Sequence, residues 1–394
     1  MRGRAATVTV ALVVIACSWA RADGPVRLDN PALDGWHAIG SGVWEWRDEA
    51  IWCNGEGGGW LRSDRAYSDF TLRFSYKIAP RGNSGVWLRA PLRGRASSVG
   101  FEFQIMGNIA DAPNTDSTGA LYDLFPPAVD AGRPPGEWNE AEITCVGSRV
   151  RAVLNGAELY DIDLEEIEEN DSLPAGRKPR ERNRRGFIGL TNHGAQVWYR
   201  NIMIEEHPQP GFRALPLEAD LAAWSVRGPA ANSAAYTAEG GMLTATAARG
   251  SILASDEVAE DYTLRLRYRV SEGAVGRLHL RYDEGNTRYV IAVALADDQA
   301  SLRYAPASEA SGALLGYGAP RYVNSLPAGQ WNDLEVVYRG WELSVRLNGN
   351  PVLDGSLLWF SSFNGQPRRG AIGIEVSQGT IDFADLEMGP APEE

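Results

Sequence analysis

Lysine, cysteine and histidine are all scarce in this chain of 394 residues. Lys77 and Lys178 are its lysines, and the sequence contains three cysteines and four histidines. Its 38 basic residues, nearly all of them arginine, are outnumbered by 51 acidic residues, which gives a net charge of −13. Because so acidic a surface repels a phosphate backbone, we expect an uncharged or cationic ligand and no nucleic acid partner.

Long hydrophobic runs are also missing. No apolar stretch reaches the roughly 18 residues that a membrane-spanning helix needs. The apolar stretch after Arg4 is shorter, and it is followed by a small-x-small sequence at Ala20 and Ala22. This pattern is typical of a secretory signal peptide, so we predict that residues 1–22 are removed and that the protein is exported to the periplasm or the extracellular space.

Cys17 keeps a second processing route open. Together with the preceding sequence VIA at 14–16 it forms a lipoprotein-type site, with Cys17 as the residue that carries the lipid anchor. Either route leads to an oxidising compartment, where Cys53 and Cys145 could pair as a disulfide. We favour two buried thiols, because a domain of this size needs no covalent crosslink.

Amphipathic helical patterns are nearly absent, whereas short alternating segments are frequent. Residues 71–78, 149–154 and 263–270 alternate in character and are bounded by Gly, Asn, Asp or Pro. These are the features of short antiparallel strands, and we therefore predict an all-β protein.

Several short sequences occur twice, about 190 residues apart. The pairs are DFTLR (69–73) with DYTLR (261–265), GEWN (136–139) with GQWN (329–332), and LNG at 154–156 and 347–349. Their common order indicates a duplicated domain. The Asn-Gly pair in each LNG sequence predicts a hairpin turn. We predict a β-sandwich at 23–208 and a diverged copy at 212–390, each a two-sheet jelly roll with a curved face that can hold an extended ligand.

Residues that are confined to one copy are the better candidates for a function. The pair Asn83 and Ser84, the pair Glu102 and Gln104, and His193 occur in the first copy and are replaced in the second. Strand alternation puts Glu102 and Gln104 on one face of their strand, opposite to apolar neighbours. That face is polar, and we interpret it as part of a binding groove.

The neighbouring segment has the same alternation. Asn83, Trp87 and Arg89 share a face, on which Trp87 would offer a flat platform for a sugar ring. Simpler interpretations remain open: Glu102 and Arg89 could form a surface ion pair, and His193 could be a structural, hydrogen-bonded residue.

In these residues the first domain resembles the 3-keto-disaccharide hydrolase family, also described as 3-keto-glucoside lyase/hydratase. The resemblance covers about residues 30–206 and rests on GW (35–36), GGWL (58–61), DF (69–70), NSG (83–85) with Arg89, ExQI (102–105), TGALY (118–122), GEWN (136–139), LNG (154–156), GL (189–190), NHG (192–194) and RNI (200–202). It implies a concanavalin A-like fold for domain one and a diverged, non-catalytic copy for domain two. Two positions depart from the family pattern, because Gly107 replaces an aspartate and Thr191 replaces a glutamine.

The family acts on glycosides that carry a ketone at C3, which acidifies the hydrogen on C2. The resemblance therefore implies C2–H abstraction by Glu102 or His193, expulsion of the C1 substituent and addition of water, with Arg89 stabilising the enolate. The implied substrate-binding residues are Asn83, Ser84, Trp87, Gln104, Tyr122 and Asn192. No cofactor is required, although a divalent metal held by Glu102 and His193 stays open.

A second function class is compatible with the same sequence. Two lectin-like sandwiches could form a non-catalytic carbohydrate-binding protein or a surface interaction protein. An oligosaccharide or glycoside is the expected partner both of the enzyme and of the carbohydrate-binding protein. The presence or absence of cleavage would discriminate between the classes.

Overall fold

The computed structural model describes residues 24–108, 112–167, 178–285, 290–301, 307–359 and 367–392. The expected signal peptide, with Cys17, lies outside the described residues. Helices are single turns, namely α1 (Ala96–Val99), α2 (Asp298–Ser301) and the 3₁₀ turns Pro179–Glu181, Ser233–Ala235, Ala307–Glu309 and Leu357–Trp359. Within the described ranges, no helix is long and apolar enough to cross a membrane.

The strands of domain one form two antiparallel sheets. In chain order they are β1 (Val26–Arg27), β2 (Trp36–Gly40), β3 (Trp44–Arg47), β4 (Ala50–Cys53), β5 (Gly59–Tyr67), β6 (Phe70–Ile78), β7 (Asn83–Ala90), β8 (Phe101–Met106), β9 (Asn139–Val146), β10 (Arg149–Leu154), β11 (Ala157–Asp163), β12 (Gly186–Asn192) and β13 (Val197–Glu206). The eight-stranded sheet has the order β11-β10-β9-β6-β13-β4-β3, with β1 paired to β13. The five-stranded sheet has the order β2-β5-β12-β7-β8.

Domain two repeats this arrangement. Its strands are β14 (Arg213–Ala214), β15 (Trp224–Arg227), β16 (Tyr236–Glu239), β17 (Met242–Thr246), β18 (Ile252–Ala259), β19 (Tyr262–Val270), β20 (Val275–Tyr282), β21 (Ile291–Ala296), β22 (Asn332–Arg339), β23 (Glu342–Leu347), β24 (Asn350–Ser356), β25 (Gly370–Gln378) and β26 (Thr380–Gly389). The eight-stranded sheet has the order β16-β17-β26-β19-β22-β23-β24, with β14 on β26, and the five-stranded sheet has the order β15-β18-β25-β20-β21. The prediction of an all-β protein with two tandem sandwiches is confirmed.

The core of each domain lies between its two sheets. In domain one, Leu72 and Phe74 of β6 share an apolar cluster with Val86 and Leu88 of β7. Strand alternation explains this arrangement, since every second residue of each strand points inward. The opposite side of the five-stranded sheet is therefore available for a site, and we call it the outer face.

The Asn-Gly pairs form the predicted hairpins. Asn155 and Gly156 have φ values of 51° and 85°, and Asn348 and Gly349 have 52° and 75°. Positive φ at both central residues is the geometry of a type I′ turn, which Asn-Gly adopts at low energetic cost. These turns join β10 to β11 and β23 to β24.

The repeated aspartates Asp69 and Asp261 perform the same structural task. Asp69 Oδ1 accepts hydrogen bonds from the Arg89 guanidinium at 3.1 Å and from Gly147 N–H at 3.0 Å. In domain two, Asp261 accepts equivalent bonds from Arg281 and from a turn amide. The motif that revealed the duplication is thus part of the scaffold.

Cys53 and Cys145 are both buried and free. The sequence predicts two buried thiols and no disulfide, and the structure confirms this prediction. Burial raises the pKa of both thiols, to about 11 for Cys145. Both side chains therefore act as small apolar core residues.

Domain two docks where β12 begins. Arg185, the residue before β12, forms a bidentate ion pair with Asp333 at 2.5 and 3.2 Å. Asn183 Nδ2 donates to Gly349 O at 2.8 Å, which fixes the second Asn-Gly turn against domain one. His193 follows the other end of β12, so this interface is roughly 25 Å from it along the strand.

Candidate functional site

Three neighbouring strands bring the candidate residues together on the outer face of domain one. Trp87 of β7 pairs with Gly189 of β12 on one side and with Glu102 of β8 on the other. Two residues along, Gly85 pairs with Gln104. Because side chains alternate, Glu102, Gln104 and Trp87 project from the same face, opposite to the core.

Glu102 and His193 meet at this face. His193 Nε2 lies 3.7 Å from Glu102 Oε1, and the side chains are 43% and 6% exposed, respectively. A buried carboxylate is thus adjacent to an imidazole at the edge of the face. Both groups can reach one reacting centre, as acid–base chemistry requires.

Gly85 makes room for the carboxylate. A Cβ at this position would lie 2.3 Å from Glu102 Oε1 and 2.9 Å from its Cγ. Any side chain larger than that of glycine would displace the whole carboxylate. Gly85 therefore serves the site, although the sequence marks it only as part of the sequence NSG.

A short turn after β12 presents His193. Asn192 Nδ2 donates to Glu56 O at 2.8 Å, and its Oδ1 accepts from Gly194 N–H at 3.0 Å. The Asn192 side chain is buried and holds the turn. We therefore assign it a positioning role in place of the substrate contact that the resemblance implied.

Trp87 is half-buried and packs against a second tryptophan. The rings of Trp60 and Trp87 are 4.9 Å apart and tilted by 58°. Gly189 lies beneath them, since a Cβ there would come within 2.3 Å of the Trp60 ring. The platform expected from Trp87 is thus supported by a second, buried indole, and Trp60 is a residue that sequence reasoning missed.

Gln104 is held by a carboxylate that sequence reasoning also missed. Its Nε2 donates to Asp116 Oδ1 at 3.1 Å. Tyr122 lies next to this pair, with its backbone N–H donating to Glu102 O at 2.9 Å. Asp116 lies in the loop between β8 and β9, and its sequence position carries no signal that would connect it with Gln104.

The sequence interpretation of Arg89 is wrong. Its guanidinium is fully buried and donates to Ser68 O and Gly147 O, both at 2.7 Å, as well as to Asp69. The residue has a φ of 51°, and the pairing of β7 with β12 shifts register here, so a bulge breaks the alternation. Arg281 occupies the same position in domain two, and this repetition could have identified Arg89 as scaffold.

Ser84 also points away from the outer face. Its hydroxyl donates to Thr191 O at 2.7 Å and lies 2.8 Å from the hydroxyl of Tyr199, within the core. Its predicted contact with a substrate is therefore wrong. Asn83, one residue earlier, has the opposite orientation, and its Oδ1 has no hydrogen-bond partner among the described residues.

The two departures from the family pattern have different structural settings. At Gly107 an added Cβ would lie 2.2 Å from Ala79 O, so this backbone excludes an aspartate there. Thr191 is fully buried and follows Gly189 on the outer face, and its hydroxyl has no partner among the described residues. The carboxylate beside Gln104 comes from Asp116 instead.

The described residues contain no cluster of three or more His, Cys, Asp or Glu side chains that could hold a metal ion. Glu102 and His193 supply two donors. Protein sites for divalent metals commonly use three or more, so the residues present do not fit a resident metal well. The chemistry of this site is therefore derived from its side chains alone.

At the strand positions that the structure describes, domain two has no counterpart of Glu102. His279 of β20 pairs with Gly373 and with Ala292, in the way that Trp87 pairs with Gly189 and Glu102. Ala292 thus stands in the position of Glu102, and Ala294 in that of Gln104.

Parts of this chain are similar to known proteins. A 3-keto-disaccharide hydrolase of Bacteroides thetaiotaomicron is 26% identical over 228 residues, which cover 47% of this chain and 79% of that protein. Among solved structures, a Parabacteroides distasonis protein assigned to the glycosyl hydrolases has 22% identity and a TM-score of 0.43. The match covers 47% of this chain and the full length of that protein. Winged bean acidic lectin, solved with methyl-α-D-galactose, has 10% identity and a TM-score of 0.32. The match covers 46% of this chain and the full length of the lectin.

The family profile of the 3-keto-α-glucoside-1,2-lyase-like domain matches residues 25–205 and again residues 212–388. Both sandwiches are included, and the two matches together span most of the chain. The chain therefore belongs to the family of 3-keto-α-glucoside-1,2-lyase-like domains and contains two copies of that domain.

Proposed function

We propose that domain one cleaves glycosides that have been oxidised to a ketone at C3. The observation that carries this proposal is the 3.7 Å approach of Glu102 and His193 beside the Trp60–Trp87 pair. A paired acid and base suit the removal of one carbon-bound proton, and the half-buried indole of Trp87 suits the apolar face of a sugar.

In the proposed reaction, the Glu102 carboxylate takes the proton from C2 as the C2–H bond breaks and an enolate forms. The C1–O bond then breaks, and protonated His193 donates a proton to the leaving oxygen. Water adds to C1 of the resulting enone, and a proton returns to C2. The products are a 3-keto sugar and an alcohol, which together correspond to net hydrolysis.

Amide groups replace Arg89 as the proposed donors to the enolate oxygen. Gln104 Nε2 carries two hydrogens, of which Asp116 accepts one. Asn83 lies on the same face, and its amide can donate as well. A donor that points to the developing charge stabilises the transition state more than the ground state.

The test compares 3-keto-trehalose with plain trehalose in D₂O. We expect cleavage of the ketone alone, with deuterium incorporated at C2 of the 3-keto product, because the proton on C2 is exchanged during the reaction. Equal turnover of plain trehalose, or cleavage without deuterium at C2, would overturn the elimination route. Binding of both sugars without cleavage would favour the carbohydrate-binding function.

We further propose that the protein works outside the cytoplasm. This proposal rests on the N-terminal sequence, where the apolar segment is followed by a small-x-small site at Ala20 and Ala22. Mass spectrometry of the mature N-terminus distinguishes the two routes. A chain that begins at Asp23 indicates soluble export, a lipidated Cys17 indicates an anchored protein, and retention of Met1 contradicts export.

A further inference from the structure

The five-stranded sheet of domain two has a pocket of its own, about 480 Å³ in volume, on its outer face. This volume lies in the range of roughly 300–1,000 Å³ that is typical of small-molecule sites. Ile252 and His279 form its floor, where domain one has Trp60 and Trp87. Replacement of two indoles by smaller side chains leaves this space open.

Three charged or titratable side chains converge in the pocket. His279 Nε2 lies 3.1 Å from Glu375 Oε2, and Arg277 Nε lies 3.5 Å from the same oxygen. Glu375 Oε1 accepts a hydrogen bond from Gly250 N–H at 2.9 Å. The Glu375 side chain is 8% exposed and that of Arg277 is 32% exposed, so the carboxylate is fixed and the guanidinium can reach a ligand.

Two polar atoms at the pocket wall have no hydrogen-bond partner among the described residues. They are Nδ1 of His279 and the hydroxyl of Tyr282, whose rings meet edge to face with centroids 5.7 Å apart. Buried polar atoms without a partner are uncommon because each costs free energy. Neither atom is exposed to the pocket, so a ligand would meet the Tyr282 ring, which can cover an apolar face, and not the Tyr282 hydroxyl.

The charges select against an ionic ligand. Asp283, Glu284 and Glu375 line the pocket together with Arg277 and Arg281. The Arg281 guanidinium is bonded to Glu260 O and Asp261, so a phosphate or carboxylate in the pocket would still meet an excess of negative charge. The Arg277 guanidinium on the floor opposes a cation. An uncharged molecule with many hydroxyl groups can pair with both kinds of group at once, since each hydroxyl donates and accepts.

We propose that domain two binds an uncharged sugar in this pocket, with Arg277 donating to and Glu375 accepting from its hydroxyl groups. The pocket binds without cleavage, since alanines stand in the positions of Glu102 and Gln104. Glu375 does not replace Glu102 as a base, because Gly250 N–H, His279 and Arg277 already hold its carboxylate and lower its pKa. This site is separate from the proposed active site, and its existence does not depend on the activity of domain one.

The experiment follows the methyl NMR signals of Ile252 and Ile291, which line the pocket, in the full-length protein. Ile252→Val and Ile291→Val assign the two signals. The probes are trehalose, maltose and methyl α-glucoside, with glucose 6-phosphate and glucosamine as charged comparators. We expect saturable shifts with at least one uncharged probe and weaker binding of both charged ones.

Variants connect the shifts with the named contacts. Glu375→Gln and Arg277→Ala should each weaken binding about tenfold or more, as expected for loss of a hydrogen bond to a charged group, while the exposed Glu342→Gln should not. If Glu375→Gln fails to fold, Arg277→Ala still decides the question. Three results would each overturn the proposal: no shift with any uncharged probe at 100 mM, a response to charged probes alone, or unchanged affinity in Arg277→Ala.

Glu102→Gln separates the two sites, since it should strongly reduce cleavage and leave these shifts intact.

Discussion

The carboxylate of Glu102 lies directly against the α-carbon of Gly85, so closely that a Cβ on Gly85 would come within 2.3 Å of Oε1. Glu102 is thereby held between the β7 backbone and His193. Gly85 does not have a positive φ, so its backbone conformation does not require glycine. The close approach of the Glu102 carboxylate does, because it leaves no space for a side chain.

Gly85→Ala should reduce cleavage of 3-keto-trehalose by about 10²-fold, because small displacements of a catalytic group are costly. Steady-state kinetics measures this loss. Gly355→Ala is the matched control, since a Cβ there meets no atom within 4 Å. Wild-type turnover in Gly85→Ala would mean that the position of Glu102 does not matter for the reaction.

Glu102→Gln and His193→Ala should each lower turnover by about 10²–10⁴-fold, the usual cost of a lost acid or base. Their free energies of unfolding should change by less than about 1 kcal/mol, since neither side chain contributes to the core. Kinetics and urea unfolding of the same preparations test both statements. A variant that loses stability and activity in parallel would identify its residue as structural.

Arg89→Met should lower the free energy of unfolding by about 3–5 kcal/mol, because it leaves the buried Asp69 and the carbonyls of Ser68 and Gly147 without their partner. Arg281→Met is the matched variant in domain two. Its effect should be smaller, since the Asp261 side chain is 40% exposed and that of Asp69 only 5%. Normal stability with lost turnover in Arg89→Met would restore the catalytic interpretation.

Asp333→Ala should destabilise the junction between the domains by about 3–5 kcal/mol, because the buried Arg185 loses its counter-charge. Burial by itself would lower the pKa of Arg185, but Asp333 and nearby acids raise it. The double variant Arg185→Met/Asp333→Ala should recover much of this loss. Calorimetry should show one transition for the wild type and two for Asp333→Ala, whereas an unchanged trace would contradict the coupling.

Glu375 should make stability depend on acid pH. Burial alone would raise its pKa, but hydrogen bonds from His279 and Gly250 and the charge of Arg277 lower it from 4.5 to about 2. Its contribution of about 3 kcal/mol is therefore complete above about pH 5 and is lost as the pH falls towards 2.

Urea unfolding between pH 7 and pH 2 measures this dependence. Glu375→Gln should flatten the curve between pH 5 and pH 2, while Glu342→Gln, which removes an exposed carboxylate, should leave it unchanged. A curve of wild-type steepness in Glu375→Gln would contradict the low pKa.

Local patterns were sufficient for much of the fold. Alternation identified strands such as β6 and β10, and the Asn-Gly pairs identified two hairpins, because both features depend on residues that are close in sequence. Duplication could be read from the same short motifs. Comparison of the two copies also selected Glu102 and His193, since the second copy lacks both.

The sequence by itself therefore determined the all-β class, the duplication and the choice of Glu102 and His193 as candidates. Tertiary structure decided which side chains accompany that pair. A bulge turns Arg89 into the core, where alternation predicted the outer face, and bulges depend on how neighbouring strands pair. Asp116 reaches Gln104, and His279 reaches Glu375, through contacts between segments distant in the chain. Such contacts leave no local pattern, because the energy that favours them exists only once the sheets have assembled.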